Sequence, residues 1–140
     1  MIDQVLAKEA EDYVERAILR PKHGQSLVRA GHTEREFVLL SDGAVPGADF
    51  YVKEENPKRG NCFYEVKSAI NNAPASIRIT RAEFTRAKKC HGEGLPYEIY
   101  VVIFLKTAPT PKVLHIPDFA AMAVGLTIDH TVAFDIALDL

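Results

Sequence analysis

One stretch limits what this chain can fold into more than any other: EIYVVIFL, residues 98–105. It is apolar nearly throughout and rich in β-branched and aromatic side chains, which suit a pleated strand. Eight residues fall far short of the ~20 that a membrane helix needs. Successive side chains of a strand point to opposite faces, so a strand apolar on both must be covered on both. The economical architecture is a central strand in a mixed sheet with helices on its faces, an α/β fold.

The remaining residues supply the layers. Val5, Leu6, Ala10, Tyr13, Val14, Ala17 and Ile18 recur at spacings of three and four. That pattern predicts a helix over 2–19, with Asp3 as its cap and Pro21 as its stop. Residues 22–36 are polar, contain Gly24 and Gly31, and read as irregular. Residues 37–40 read as a short strand before a Ser41-Asp42-Gly43 turn. Residues 48–52 (ADFYV) and 62–68 read as the two strands of a hairpin whose polar connection spans 53–61. After a turn at 71–74, residues 76–79 read as a strand. Thr80-Arg81-Ala82-Glu83 has the spacing of a capping box and starts a helix over 81–89. Pro109 and Pro111 break the chain after the central strand, and the tail is expected to hold a helix near 118–124 and a strand over 131–138. This order predicts one domain over 1–140, with its core at about 2–105. Residues 106–140 are then an extension that completes the sheet or forms a dimer contact.

Composition excludes several classes. The formal net charge of −2 argues against holding nucleic acid by bulk charge, though not against a local basic groove. The first residues, MIDQVLAKEAEDY, are acidic and amphipathic and do not read as a signal peptide, so a cytoplasmic location and no membrane partner are expected. The two cysteines, Cys62 and Cys90, form no CxxC pair, and the five histidines are scattered. Neither a GxSxG elbow nor a phosphate-binding GxxxxGK[ST] loop is present.

The residues that carry chemistry lie in VPGADFYV and FYEVKS. Glu65 and Lys67 are two apart on one strand and share a face. Asp49 lies on the preceding strand and approaches Glu65 if the two strands pair. Two close carboxylates repel, and a buried pair is costly without a cation. Mg²⁺, with Mn²⁺ as a substitute, takes hard oxygen ligands, often one or two carboxylates plus water. The main-chain carbonyl of Val66 lies between Glu65 and Lys67 and is a further candidate ligand. Lys67 suits orienting water or offsetting phosphate charge better than acting as a base, because two nearby carboxylates keep it charged. The plain alternative is a structural ion pair.

These segments resemble the PD-(D/E)xK nuclease motif, and within it the protein NO VEIN C-terminal domain of restriction and defence proteins. Members resemble PG-x-D on one strand and (I/Y)EVK on the next. They continue with I-x-(L/I)-(S/T)-x-x-E and a strand like YxLYVV. This chain reads Pro46-Gly47-Ala48-Asp49, then Tyr64-Glu65-Val66-Lys67, then Ile77-Arg78-Ile79-Thr80-Arg81-Ala82-Glu83, then Tyr97-Glu98-Ile99-Tyr100-Val101-Val102. The likeness covers 10–105, about two-thirds of the chain. It implies a restriction-endonuclease-like mixed sheet flanked by helices and Mg²⁺-dependent hydrolysis of DNA phosphodiesters, with RNA not excluded. It implies Asp49, Glu65, Val66 and a helix-one acid, Glu11, at the metal, with Lys67 beside them. Arg78, Arg81 and Lys88 are the expected phosphate contacts, and Lys58 and Arg59 in the hairpin connection can also reach a backbone. A homodimer or a larger defence or helicase partner would supply specificity. The alternative within this resemblance is a nuclease-fold module that binds DNA or a protein without cutting.

Overall fold

The computed structural model describes residues 2–29, 48–53, 60–74, 76–124 and 133–137. Helix α1 (Ile2–Val14) runs on through a π-helical turn (Glu15–Leu19) into α2 (Arg20–His23). Helix α1 begins at Ile2, so Asp3 lies inside its first turn rather than at a cap. Pro21 does not stop the helix either. In the wider turn the Arg20 amide donates to the Glu15 carbonyl, five residues back. The register shift comes just ahead of the proline, whose ring would clash with the carbonyl four residues earlier in a regular helix. Pro21 then sits in the first turn of α2, where a missing N–H is harmless. Gly24, at φ 58°, ends the helix in a conformation that side chains resist.

Strand β1 (Leu27–Arg29) lies within the segment read as irregular. Three residues are too few to show a period, and pairing to β2 (Phe50–Lys53) makes the strand. Strand β2 pairs antiparallel with β3 (Gly60–Ile70), as the hairpin reading expected. The chain then crosses over through β4 (Ser76–Thr80) and α3 (Arg81–Glu93). It returns as β5 (Tyr97–Phe104), parallel to β3. Strand β6 (Lys112–Ile116) pairs antiparallel with β5 on its other edge. The main sheet is therefore mixed and five-stranded, in the order β1-β2-β3-β5-β6. The EIYVVIFL stretch sits between two neighbours inside it.

Two hydrophobic clusters cover the two faces of this sheet. On one, Tyr51, Phe63, Tyr97, Ile99, Val101 and Ile103 pack with α3 and with Phe119 of α4 (Phe119–Val124). On the other, Phe50, Tyr64, Val66, Tyr100 and Val102 pack against Ala10, Val14 and Leu19. The tail differs from expectation in one respect. Strand β6 begins directly after Pro111 and joins the main sheet, whereas β7 (Ala133–Ala137) pairs with β4 in a separate two-stranded ribbon. Helix α3 also runs four residues beyond the expected Lys89. It ends where Gly94 takes the left-handed conformation at φ 71° and Leu95 N–H donates to the Cys90 carbonyl. The expected strand over 37–40, its following turn, and the loop cations Lys58 and Arg59 lie outside the described residues. No helix among those residues is long and apolar enough to cross a membrane.

Candidate active site

The register of the β2–β3 hairpin positions the first two acids. Phe50 pairs with Tyr64 and Tyr51 with Phe63, which carries Asp49 opposite Glu65. Asp49 N–H donates to the Tyr64 carbonyl at 2.9 Å. Its Oδ2 accepts from the Val66 amide at 2.8 Å, so the side chain takes a ladder bond that β2 has not yet begun to make. A residue's N–H and C=O leave an extended strand on the same edge, so the Val66 carbonyl also projects toward Asp49.

Glu65 and Lys67 share the opposite face of β3 from Val66. Lys67 Nζ lies 3.2 Å from Glu65 Oε2 and donates to Glu83 Oε1 at 2.8 Å. Glu83 was not among the residues singled out for chemistry. The sequence signal was there, because Thr80-x-x-Glu83 reads as a capping box, and the box forms. Glu83 N–H donates to Thr80 Oγ1 at 3.2 Å, and Thr80 N–H donates to Glu83 Oε1 at 3.0 Å. One carboxylate oxygen thus both caps α3 and holds Lys67.

Burial sets the electrostatics. Glu65 is 5% exposed, and its carboxyl is pushed well above the ordinary carboxylate range by that burial and then by the Asp49 charge. Asp49 is raised too, by burial, against the Val66 N–H and a hydrogen bond with Glu65 that favour its charged form. Burial works against charge on Lys67, but Glu65 and Glu83 outweigh it and hold the ammonium charged. A lysine held this way is an electrostatic group and not a base.

These side chains line one cleft of about 520 Å³. Its walls are Ala7 and Glu11 of α1, the β3 residues Glu65–Ser68 with Asp49, Pro74, and Ser76, Ile77, Arg78 and Thr80 of β4, with Glu83 at the head of α3. Glu11 therefore lines the cleft. It also lies 3.5 Å from the Arg29 guanidinium, which is held mainly by Asp12 Oδ1 at 2.5 Å. Of the three expected phosphate contacts, Arg78 lines the cleft. Arg81 and Lys88 do not, and the Lys88 ammonium lies 5.3 Å from the Phe84 ring centroid. Cys90 is buried in the core, and burial raises the Cys62 thiol above its ordinary value.

The donor set suits a hard divalent cation in chemistry. Asp49 and Glu65 repel each other in a buried place, and a cation there would relieve both. Among the described residues no group of three or more His, Cys, Asp or Glu side chains stands ready to hold a metal. A cation here would therefore take two carboxylates, a main-chain carbonyl and water, a ligand set common for Mg²⁺. Comparison of the chain with protein-family models, with curated proteins and with solved structures finds no match.

Proposed function

We propose that this protein is a metal-dependent nuclease of the PD-(D/E)xK type that hydrolyses DNA phosphodiester bonds. The observation that supports it best is the convergence of Glu11, Asp49 and the Glu65–Lys67 pair, from three separate stretches of the chain, on one cleft. The topology supports it as well: a helix, three strands paired antiparallel in the order β1-β2-β3, a crossover helix and a parallel strand beside β3. Asp49 and Glu65, with the Val66 carbonyl, would hold Mg²⁺ or Mn²⁺, and Glu11, which forms no three-acid group with them, would reach it through water. When bound, such an ion polarises the phosphate and lowers the pKa of a bound water. Lys67, fixed charged by Glu65 and Glu83, orients the attacking water and offsets charge that develops on the phosphate. Glu83 sets the direction of the ammonium, and the α3 cap sets Glu83.

A second reading keeps the fold and drops the cutting. Lys67 is bound by two carboxylates and Asp49 by a main-chain amide, so the site is a closed hydrogen-bonded set as well as an open one. One experiment separates the two. Purified protein is titrated with Mg²⁺ and Mn²⁺ and incubated with plasmid and single-stranded DNA, beside Lys67→Ala. Metal-dependent cutting that falls about a hundredfold or more in the variant is the expected result. Metal binding by calorimetry with no cutting on either DNA would overturn the nuclease reading in favour of a binding module.

A further inference from the structure

Strand β1 ends on a side chain that reaches across to α1. Arg29 pairs with Phe50 in the β1–β2 register, and its guanidinium lies 5.7 Å from the Phe50 ring centroid. Phe50 is fully buried and directly follows Asp49. From that place Arg29 meets three acids of the first helix. Its Nη1 donates to Asp12 Oδ1 at 2.5 Å and lies 3.4 Å from Glu15 Oε1, and its Nη2 lies 3.5 Å from Glu11 Oε1. Glu15 has a second cation, because Arg20 donates to its Oε2 at 2.6 Å. The firm bond of Arg29 is therefore the one to Asp12. Its contact with Glu11 is at the far limit for a hydrogen bond.

These contacts do two things. Glu11 and Glu15 are four apart and Asp12 adjoins Glu11, so three carboxylates repel one another along one stripe of the helix. A guanidinium between them offsets that repulsion and ties the stripe to β1, which pairs with the strand that follows Asp49. Arg29 thus joins the two elements that bring Glu11 and Asp49 to the cleft. Ala10, fully buried beside Glu11, fixes the rotation of α1, and Ala7, four residues before Glu11, lines the cleft with it. Of the three acids Glu11 is the least exposed, at 13% against 26% for Glu15 and 47% for Asp12. Second, a contact of 3.5 Å yields at small cost when a stronger cation competes, while Asp12 keeps the guanidinium in place.

We infer that Arg29 is a positioning residue of the cleft: it anchors on Asp12 and sets the Glu11 carboxylate, relative to Asp49, where a divalent cation can draw on it. This rests on the metal-site reading above and adds to it a residue that touches neither ion nor substrate. Arg29 acts through Glu11, which meets the ion through water. Charge alone predicts the opposite of positioning. A guanidinium near a cation site repels the ion, so removing it for charge alone would tighten binding. Arg29 positions Glu11, so its removal weakens binding although the site becomes more negative. The three carboxylates spread apart, and the ion has to order Glu11 itself.

The test is metal affinity rather than cutting. Calorimetric titration with Mn²⁺ is run on the whole chain for the parent, Arg29→Met, Arg29→Lys, Glu11→Gln and the double variant Arg29→Met/Glu11→Gln. Methionine keeps an apolar stem over Phe50 and removes the charge. Arg29→Met is expected to bind Mn²⁺ about tenfold more weakly than the parent, as loss of an outer-shell partner does. Arg29→Lys keeps the charge and loses the planar fork, so it is expected in between, and it carries the comparison where Arg29→Met does not fold. In the Glu11→Gln background, removing Arg29 is expected to change affinity by less than about twofold, because the group it positions is gone. An arginine that only holds the fold together would weaken binding equally in both backgrounds, and that result overturns the inference. So does an Arg29→Met protein that binds Mn²⁺ as tightly as the parent or more tightly, which leaves the metal reading standing. A parent that takes up no Mn²⁺ sinks the metal reading and this inference with it. The expected pattern without cutting of DNA upholds the inference and sinks the nuclease reading.

Discussion

At the scale of the residue, Glu65 does the most to set the behaviour of the site. Its carboxyl is raised by burial and by Asp49, so the folded protein binds its proton more tightly than the unfolded chain does. The consequence for stability has a definite sign. Where the native state holds more protons, stability falls as pH rises, so the cost of ionising Glu65 is absent below its ordinary value of 4.5 and grows as pH climbs through the folded value. Asp12 works the other way, because the Arg29 hydrogen bond lowers it and its contribution is lost as pH falls. Comparison with Glu65→Gln isolates the one group. The variant is expected to lose less stability than the parent between about pH 5 and 8, measured by denaturant unfolding without metal. Added Mg²⁺ is expected to stabilise the parent near pH 8 and the variant much less. Parallel pH curves for the two proteins would show that Glu65 ionises without cost. The facing of Asp49 and Glu65 was legible because a strand has a period of two and a hairpin has one register. The role of Glu83 was not. A capping box fully explains a glutamate at the third helical position, and nothing local says that its oxygen also meets a lysine sixteen residues earlier.

At the scale of the element, the α3 cap joins helix stability to site geometry. Thr80 accepts from Glu83 N–H, and Glu83 accepts from both Thr80 N–H and Lys67. Thr80→Ala removes one bond of the box and is expected to cost about 1 kcal/mol. It also releases one restraint on Glu83. If the protein is the nuclease proposed, cutting is expected to fall several-fold beyond any loss of folded protein, whereas Thr80→Ser, which keeps the hydroxyl, restores both. A Thr80→Ala protein that is less stable but cuts at the full rate per folded molecule would confine the box to the helix. Elements also mark the limits of pattern reading. Strand β1 has three residues, and pairing with β2 creates it. Pro21 carries a strong stop signal, yet a π turn just ahead of it absorbs the clash and carries Leu19 into the core. Strand β6 follows Pro111 and finds its partner only because β5 has an edge to offer.

At the scale of the molecule, the cleft is assembled from α1, β3, β4 and α3, while β5 lies behind it and supports it without entering it. The apolar run that predicted a central strand is thus the frame on which the acids are set. Ile99 makes this testable. It pairs with Glu65 in the parallel register, is fully buried, and does not line the cleft. Ile99→Ala opens a cavity beside Glu65 and is expected to cost about 2–5 kcal/mol. For a chain of this size that corresponds to a fall in melting temperature of roughly 5–15 °C. If the protein is the nuclease proposed and the sheet is a rigid frame, cutting per folded molecule well below the transition stays within about twofold of the parent, because a sheet that does not relax keeps Glu65 in place even with a cavity beside it. If the sheet instead yields, Glu65 sinks toward the cavity and away from Lys67. The rate then falls at full folding, and the pH dependence of stability shifts toward that of Glu65→Gln. Measuring unfolding and single-turnover cutting on the same preparation decides between a frame that only holds the site and a core whose packing tunes it.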